Sequence, residues 1–406
     1  MAHIHRAKWL IRATGEVLAD GAIVAADGRI VRLGPWASIQ PHIGPDDTVT
    51  HLPDAAILPA FVNAHTHLSL TDFAGKFRPT KRFASWMARL ALRIQFQSDD
   101  AAARAIERGD QLSREAAVAA GADLTPKGHL DTVLGCRGTA WTVFGEVFLF
   151  GDKGLERLAQ ALETMETLAR AAPVRVGLSP HTPFTVGLEV FQAVRRAADE
   201  RGWPISTHLH ETLDEIAFIE RGKGGLHTWL RGLGIVPATW RPAGVRPIRM
   251  LADAGFFSGP VLVAHGNYLT DDDIAILAAS GSSVAYCPRS HAFFKHENHP
   301  WQRLLAAGVN VCMGTDSLAS CPSLSVLDEA RFLFGRTPGI DPRTILDMAT
   351  RRGAHALGLE SDLGDLREGL SATMAAIGPL PPTSDPLAAI LGGEGNILSD
   401  FGLNNS

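Results

Sequence analysis

From residue 58 onward the chain alternates short apolar runs with longer stretches in which apolar residues return every three or four positions. The runs read as strands and the longer stretches as amphipathic helices, which together are the texture of parallel β/α architecture. Eight runs can be counted, over 61–67, 121–125, 141–148, 174–179, 204–210, 261–265, 283–287 and 309–315. Between them, the stretch 154–170 places Leu155, Leu158, Leu162, Met165 and Leu168 at helical spacing. Thr212 with Glu215 reads as a capping box opening the helix after the fifth run, and Thr270 followed by Asp271, Asp272 and Asp273 opens the one after the sixth. Eight strands with helical returns predict a (β/α)8 barrel of the TIM type with insertions.

The two ends have a different texture. Residues 1–57 hold short β-rich pieces over 9–12, 21–25 and 29–34, with a turn signal at Asp27-Gly28. After a predicted helix over 341–358, the stretch 363–377 is again short, glycine-punctuated and β-like. The plan is therefore α/β, with the barrel over 58–360. Residues 1–57 and 361–406 are expected to supply the N- and C-terminal parts of a small β-sandwich domain, the second ending in a Pro- and Gly-rich tail.

Composition narrows the function classes. The chain has 406 residues, 46% of them hydrophobic and 20% charged, with a formal net charge of -5 and no block of like charges. That balance gives no long-range attraction to nucleic acid or to acidic membranes. No run approaches eighteen apolar residues and the N-terminus lacks signal-peptide character, so a cytoplasmic protein is expected. Cys136, Cys287, Cys312 and Cys321 show no paired spacing, which argues against a disulfide framework or a zinc ribbon. The glycines of 222–227 follow a helix and lack dinucleotide-binding spacing. His3 and His5 follow no apolar run and read as exposed.

The chemistry gathers at strand ends. In 61–67, strand parity puts His65 and His67 on one face, roughly 6.5 Å apart along the backbone, close enough for both imidazoles to reach one metal ion. His181 follows the fourth run, His208 closes the fifth, His265 ends the sixth in Ala-His-Gly, and Asp316 ends the eighth in Gly-Thr-Asp-Ser. Singly these have plain readings: a loop histidine, a core histidine, a helix N-cap. Together they fall at the one face of a parallel barrel where active sites are built.

This set, in this order, resembles the amidohydrolase superfamily of metal-dependent hydrolases, from the N-terminal β-unit through about residue 375. Thr207-His-Leu-His-Glu211 and Gly314-Thr-Asp-Ser317 are most similar to the branch holding adenosine-type, S-adenosylhomocysteine, methylthioadenosine and aminofutalosine deaminases and triazine chlorohydrolases. Leu178-Ser-Pro-His181 stands where binuclear members carry a carboxylated lysine, so the resemblance implies a single divalent ion, zinc before iron. It makes His65, His67, His208 and Asp316 the metal ligands, Glu211 the proton shuttle and His265 the residue that orients or polarises the attacking water, with Asp316 also catalytic, accepting the water's proton while keeping the metal. Three neutral imidazoles and a carboxylate suit zinc and leave a position open for water. By the same resemblance His181, Trp86, Ser290 and His291 are candidate substrate contacts, the 222–249 insertion is a candidate lid, and dimers or larger assemblies are expected.

The implied activity is hydrolytic deamination of an aminated heterocycle, adenine-type or aminofutalosine-like. Hydrolytic dechlorination or cyclic amide opening is the alternative, and a non-catalytic scaffold is the third reading. Zinc cytidine-deaminase chemistry is excluded, because the chain has no His-x-Glu with Pro-Cys-x-x-Cys. There are departures from the branch: 90–97 offers no acidic residue for sugar hydroxyls, Gly369-Leu-Ser-Ala-Thr-Met replaces the usual Gly-x-x-Ala-Asp run, and 126–131 fits no template.

Overall fold

The structure, a computed structural model, describes residues 1–125, 138–171 and 174–398. Four strands open the chain: β1 (His3–Ile11), β2 (Val17–Ala26), β3 (Arg29–Pro35) and β4 (Thr48–Pro59). The β2–β3 hairpin turns at Asp27 and Gly28, whose φ values of 51° and 72° are those of the tight two-residue turn that an Asp-Gly pair favours.

Eight parallel strands follow, each close to an expected run. β5 (Phe61–Thr66), β6 (Val118–Thr125), β7 (Ala140–Val147) and β8 (Arg175–Pro180) form one four-stranded sheet in that order. β9 (Ser206–Leu209), β10 (Leu262–His265), β11 (Ser283–Tyr286) and β12 (Asn310–Met313) form a second. Every residue of β5, β9, β10 and β11 is buried, as expected for parallel strands covered on both faces. In place of one closed ladder, the two sheets meet at single parallel bridges, Leu178 to Ile205 on one side and Thr66 to Asp316 on the other.

β13 (Met374–Gly378) and β14 (Asn396–Ile397) return to the start of the chain. β13 pairs antiparallel with β4 from Met374↔Pro59 to Ile377↔Ala56, giving one six-stranded sheet in the order β14-β13-β4-β1-β2-β3. The ends of the chain therefore share one continuous ladder. A second sheet facing it, as a sandwich requires, is not found among the described residues.

Local sequence explains the helices near the site. Gly151–Ala171 forms as its apolar spacing predicts, burying Leu158, Met165 and Leu168. The Thr270 side chain and Asp273 complete a reciprocal capping box at Asp271–Ala279. Thr212 caps Leu213–Arg221 by accepting from the Asp214 amide. The expectation for His5 is corrected: it lies on β1 between β2 and β4 and is only 2% exposed, because strand neighbours on both sides bury it. Cys287, Cys312 and Cys321 are free thiols in the interior. Cys136 and the 126–131 segment lie outside the described residues.

Candidate metal centre

Strand parity sends the side chains of His65 and His67 inward together. The chain after β12 is fastened against β5: the Thr315 and Asp316 amides both donate to the His65 carbonyl, at 3.1 and 3.0 Å. Asn63 tightens this seam, its Nδ2 donating to Thr315 Oγ1 at 2.8 Å while its Oδ1 accepts from the Thr315 amide at 3.1 Å. Gly314 makes the approach feasible, since a Cβ there would sit 2.8 Å from His65 Cβ and 3.0 Å from its backbone nitrogen and oxygen. His210, His265 and Asp316 end their strands in the left-handed region, with φ of 55°, 70° and 60°. Non-glycine residues adopt that conformation at a cost, and here it turns the chain sharply where side chains must face the barrel axis.

The imidazoles and the carboxylate converge. His67 Nε2 and His208 Nε2 are 3.1 Å apart, and Asp316 Oδ1 lies 3.8 Å from Nε2 of both His65 and His67. His208 Nδ1 donates to the His181 carbonyl at 3.1 Å, so its Nε2 presents a lone pair. The His67 ring likewise bonds the Leu124 backbone. Both ring nitrogens of His65 are buried without a hydrogen-bond partner. Two facing imidazole lone pairs at 3.1 Å repel unless a cation or proton lies between them, and a protonated imidazole is disfavoured here. Burial, with the neighbouring imidazoles, holds His65 and His208 well below the usual histidine range, and burial also lowers His67. Neutral imidazoles, a carboxylate and an orphaned buried histidine fit a divalent metal ion.

Asp316 is oriented by two hydroxyls. Ser290 Oγ and Ser320 Oγ each donate to Oδ2 at 2.7 Å, which leaves Oδ1 turned to the imidazoles. Burial alone would raise this carboxyl, but the surrounding His265, His65 and His67 together with the Ser320 hydroxyl bring it to about 2.

Glu211 behaves oppositely. Burial, then repulsion from Asp316 and Glu215, pushes its carboxyl well above the usual carboxylate range. Its backbone is pinned: the Glu211 and His210 amides donate to the two oxygens of Glu215, each at 2.9 Å, and Asn267 Nδ2 donates to the Glu211 carbonyl at 2.9 Å. His265 Nε2 stands 3.7 Å from Glu211 Oε1, and burial lowers this imidazole to about 4. His299 Nε2 donates to the His265 carbonyl at 2.8 Å. His210 is structural: its Nε2 accepts from the Ile248 amide at 3.2 Å, which puts the ring proton on Nδ1, 3.3 Å from the Tyr268 carbonyl.

Above this floor lies a cavity of about 420 Å³. One wall is apolar, formed by Trp86, Met87, Leu90 and Ile94 of helix Phe83–Gln95 and by Trp229, Leu230 and Ile235. The opposite wall carries Glu146, Phe148, His181 and Thr185. Of the candidate substrate contacts, His181 and Trp86 line this cavity, whereas Ser290 lies behind Asp316 and His291 packs against Tyr286, His296 and His299. The insertion 222–249 reaches the cavity through Trp229, Leu230 and Ile235. Glu146 was not singled out by the sequence, although its place two residues before Phe148 on an inward strand face was a usable signal. Burial and nearby Asp123 push its carboxyl up to about 8.

Comparison with known proteins agrees with this geometry. The profile of the Amidohydrolase family matches residues 56–398. The aminodeoxyfutalosine deaminase of Deinococcus radiodurans is 31% identical over 352 residues, covering 82% of this chain and 81% of that protein. Among solved structures, an adenosine deaminase from Xanthomonas campestris with bound zinc superposes with a TM-score of 0.83 at 24% identity, covering 97% of this chain and 89% of the other. The aminofutalosine deaminase of Helicobacter pylori, in complex with methylthio-coformycin, gives 0.84 at 21% identity and covers 97% of both chains. The structural matches establish a shared fold of TIM-barrel type.

Proposed function

The chain belongs to the amidohydrolase family, and from that premise we propose that it is a metal-dependent hydrolytic deaminase of an adenine-type compound. The observation that carries the reading is the convergence of His65, His67, His208 and Asp316 beneath a cavity that Glu211 and His265 also line. The two four-stranded sheets are read as halves of one (β/α)8 barrel, with the site at the C-terminal ends of its strands. His65, His67, His208 and Asp316 would hold the ion, which we take to be zinc on the strength of a nitrogen-rich donor set. When bound, such an ion lowers the pKa of a water toward ~7 and so supplies a nucleophile at neutral pH.

The chain's own residues do the rest. His265, neutral and 3.7 Å from Glu211, accepts a hydrogen bond from the attacking water and fixes its direction. Glu211 gives its proton to the ring nitrogen as the C–O bond forms at the amino-bearing carbon. It then carries the proton removed from the water to the departing amine, which leaves as ammonia. Asp316, held by two serine hydroxyls, takes that proton from the water while remaining a ligand and passes it to Glu211. The apolar wall of Trp86, Met87 and Leu90 excludes water from the reacting ring.

The test is ammonia release by zinc-loaded protein across adenine nucleosides, aminofutalosine, guanine, pterins and aminotriazines, with metal content assayed on the same sample. Turnover of an adenine-type member is expected. A loaded protein that releases no ammonia from any of them overturns deamination, and failure to retain metal overturns the site.

A further inference from the structure

Glu146 takes no part in the chemistry just described, yet it stands in the wall of the same cavity. It closes the inward-facing row of β7, in register with Ser179 of β8, and Phe148 continues the row into the cavity wall. Its carboxylate and the ring nitrogens of His181 and His208 lie within 4.8 Å of one another. Other carboxylates nearby have donors: Asp316 takes two serine hydroxyls, Glu215 takes backbone amides, and Asp123 accepts from the Leu68 amide at 2.8 Å. Among the described residues nothing donates to Glu146. A carboxyl group facing a largely apolar cavity without a donor is costly unless water or a ligand satisfies it.

A second metal ion is a poor occupant for this cluster. His208 has no lone pair to spare, since its Nδ1–H is committed to the His181 carbonyl and its Nε2 faces His67. His181 Nδ1 is in turn paired with Thr185 Oγ1 at 2.8 Å, which turns its Nε2 to the cavity. What remains is a carboxyl group with an oxygen free to accept, and an imidazole beside it on the same wall, next to the catalytic floor. That pairing suits a ligand carrying a hydroxyl. In an adenine nucleoside, the donors beyond the base are the hydroxyls of its sugar.

We propose that Glu146 is a specificity-determining residue that accepts a hydrogen bond from a sugar hydroxyl of the substrate, with His181 as its neighbour in the same contact. This rests on the nucleoside reading above. It also assigns the polar contact to the third strand of the barrel, supplying an acid on a different element from helix Phe83–Gln95, whose 90–97 stretch has none.

The experiment is a cycle of variant against substrate. kcat/KM is measured for adenosine, 2′-deoxyadenosine, 3′-deoxyadenosine and 5′-deoxyadenosine with the zinc-loaded wild type, Glu146→Leu and Glu146→Gln. Dissociation constants for inosine and the matching deoxyinosines are measured by calorimetry, which reads binding without turnover. In the wild type one deoxy analogue should be roughly ten- to a hundredfold poorer than adenosine. In Glu146→Leu that ratio should collapse to about one, in catalysis and in inosine binding alike, while Glu146→Gln, which keeps a carbonyl acceptor, should be intermediate. A ratio that persists in Glu146→Leu, or equal losses on all four substrates, overturns the assignment. If the loaded wild type deaminates no adenine nucleoside, the functional reading falls first and takes this inference with it. Turnover with an unchanged hydroxyl ratio sinks the inference alone.

Discussion

Replacing Ser290 by alanine separates two roles for one hydroxyl, and the structure supplies the magnitude. Ser290 Oγ and Ser320 Oγ both lie 2.7 Å from Asp316 Oδ2. A hydroxyl has a single proton, so with Asp316 ionised each serine spends its donor on the carboxylate, and the 3.1 Å contact between them carries no further bond. A hydrogen bond to a charged group contributes roughly 1.5–3 kcal/mol net. At 1.4 kcal/mol per decade this is about ten- to a hundredfold in metal dissociation constant, because an unanchored carboxylate must be reoriented before it can bind. Ser320→Ala should cost about the same, and the double variant at least the sum, since Oδ2 would then be buried with no donor. Zinc affinity is read by competition with a chromophoric chelator, and KM is measured separately at saturating metal. If Ser290→Ala keeps wild-type zinc affinity while KM rises, Ser290 contacts substrate and the anchoring argument is wrong.

Glu211→Gln should retain metal but lose ammonia release by roughly 10²–10⁴, the range for a positioned acid–base group, checked by metal content and kcat on one preparation. Glu329→Leu removes the buried partner of Arg289, which Glu329 meets at 2.8 Å through both its side chain and its backbone amide, and leaves the guanidinium only the more exposed Asp328 at 3.4 Å; a loss of about 3 kcal/mol is expected by urea unfolding. An unchanged midpoint would mean that the carbonyls of Ser323 and Ser325 satisfy Arg289 without it. His5 gives a pH signature away from the site. Burial and His3 lower it to about 4, so between pH 6.5 and 4 the unfolded chain binds a proton that the folded chain does not. Its contribution is therefore whole above pH 6.5 and is lost as pH falls toward 4, up to about 3 kcal/mol. Urea curves at pH 7, 5.5 and 4.5 should show a shallower decline for His5→Leu, and parallel declines would refute the assignment.

Much of this architecture was legible because the residues that carry it obey short periods. β5 is an uninterrupted apolar run ending in His-x-His, and β10 and β12 end in Ala-His-Gly and Gly-Thr-Asp. A strand end is where pattern and chemistry coincide, so His65, His67, His208, His265 and Asp316 could be picked without knowing what they touch. The side chains that hold them in place could not. Ser320 sits in a loop with no period, and Ser290 reaches Asp316 from a different element, so both depend on chain-distant packing. Glu215 reads as a cap for Thr212, but its carboxylate serves the His210 and Glu211 amides as well, a geometry fixed by the sharp turn at His210. The pairing of the chain ends was equally illegible in detail, since whether short strands form one ladder or two facing sheets depends on edges that sequence does not mark. His5 was misread for a related reason: its burial comes from β2 and β4 on either side, with no apolar run before it as a signal.

The bridge between Thr66 and Asp316 joins positions 250 residues apart, and it lies between the first histidine pair and the last carboxylate. A ribosome-bound chain therefore carries two imidazoles early and must wait for some 250 further residues before the acid that docks beside them is made. Long loops are costly to close, so this contact belongs to the late stage of folding. Until then the proposed ligands His65 and His67 lack the carboxylate that would complete the site. If these residues hold the proposed ion, its tight retention would report that the last strand has closed on the first, and free metal in a refolding mixture would act as a selective ligand for finished molecules over those still open.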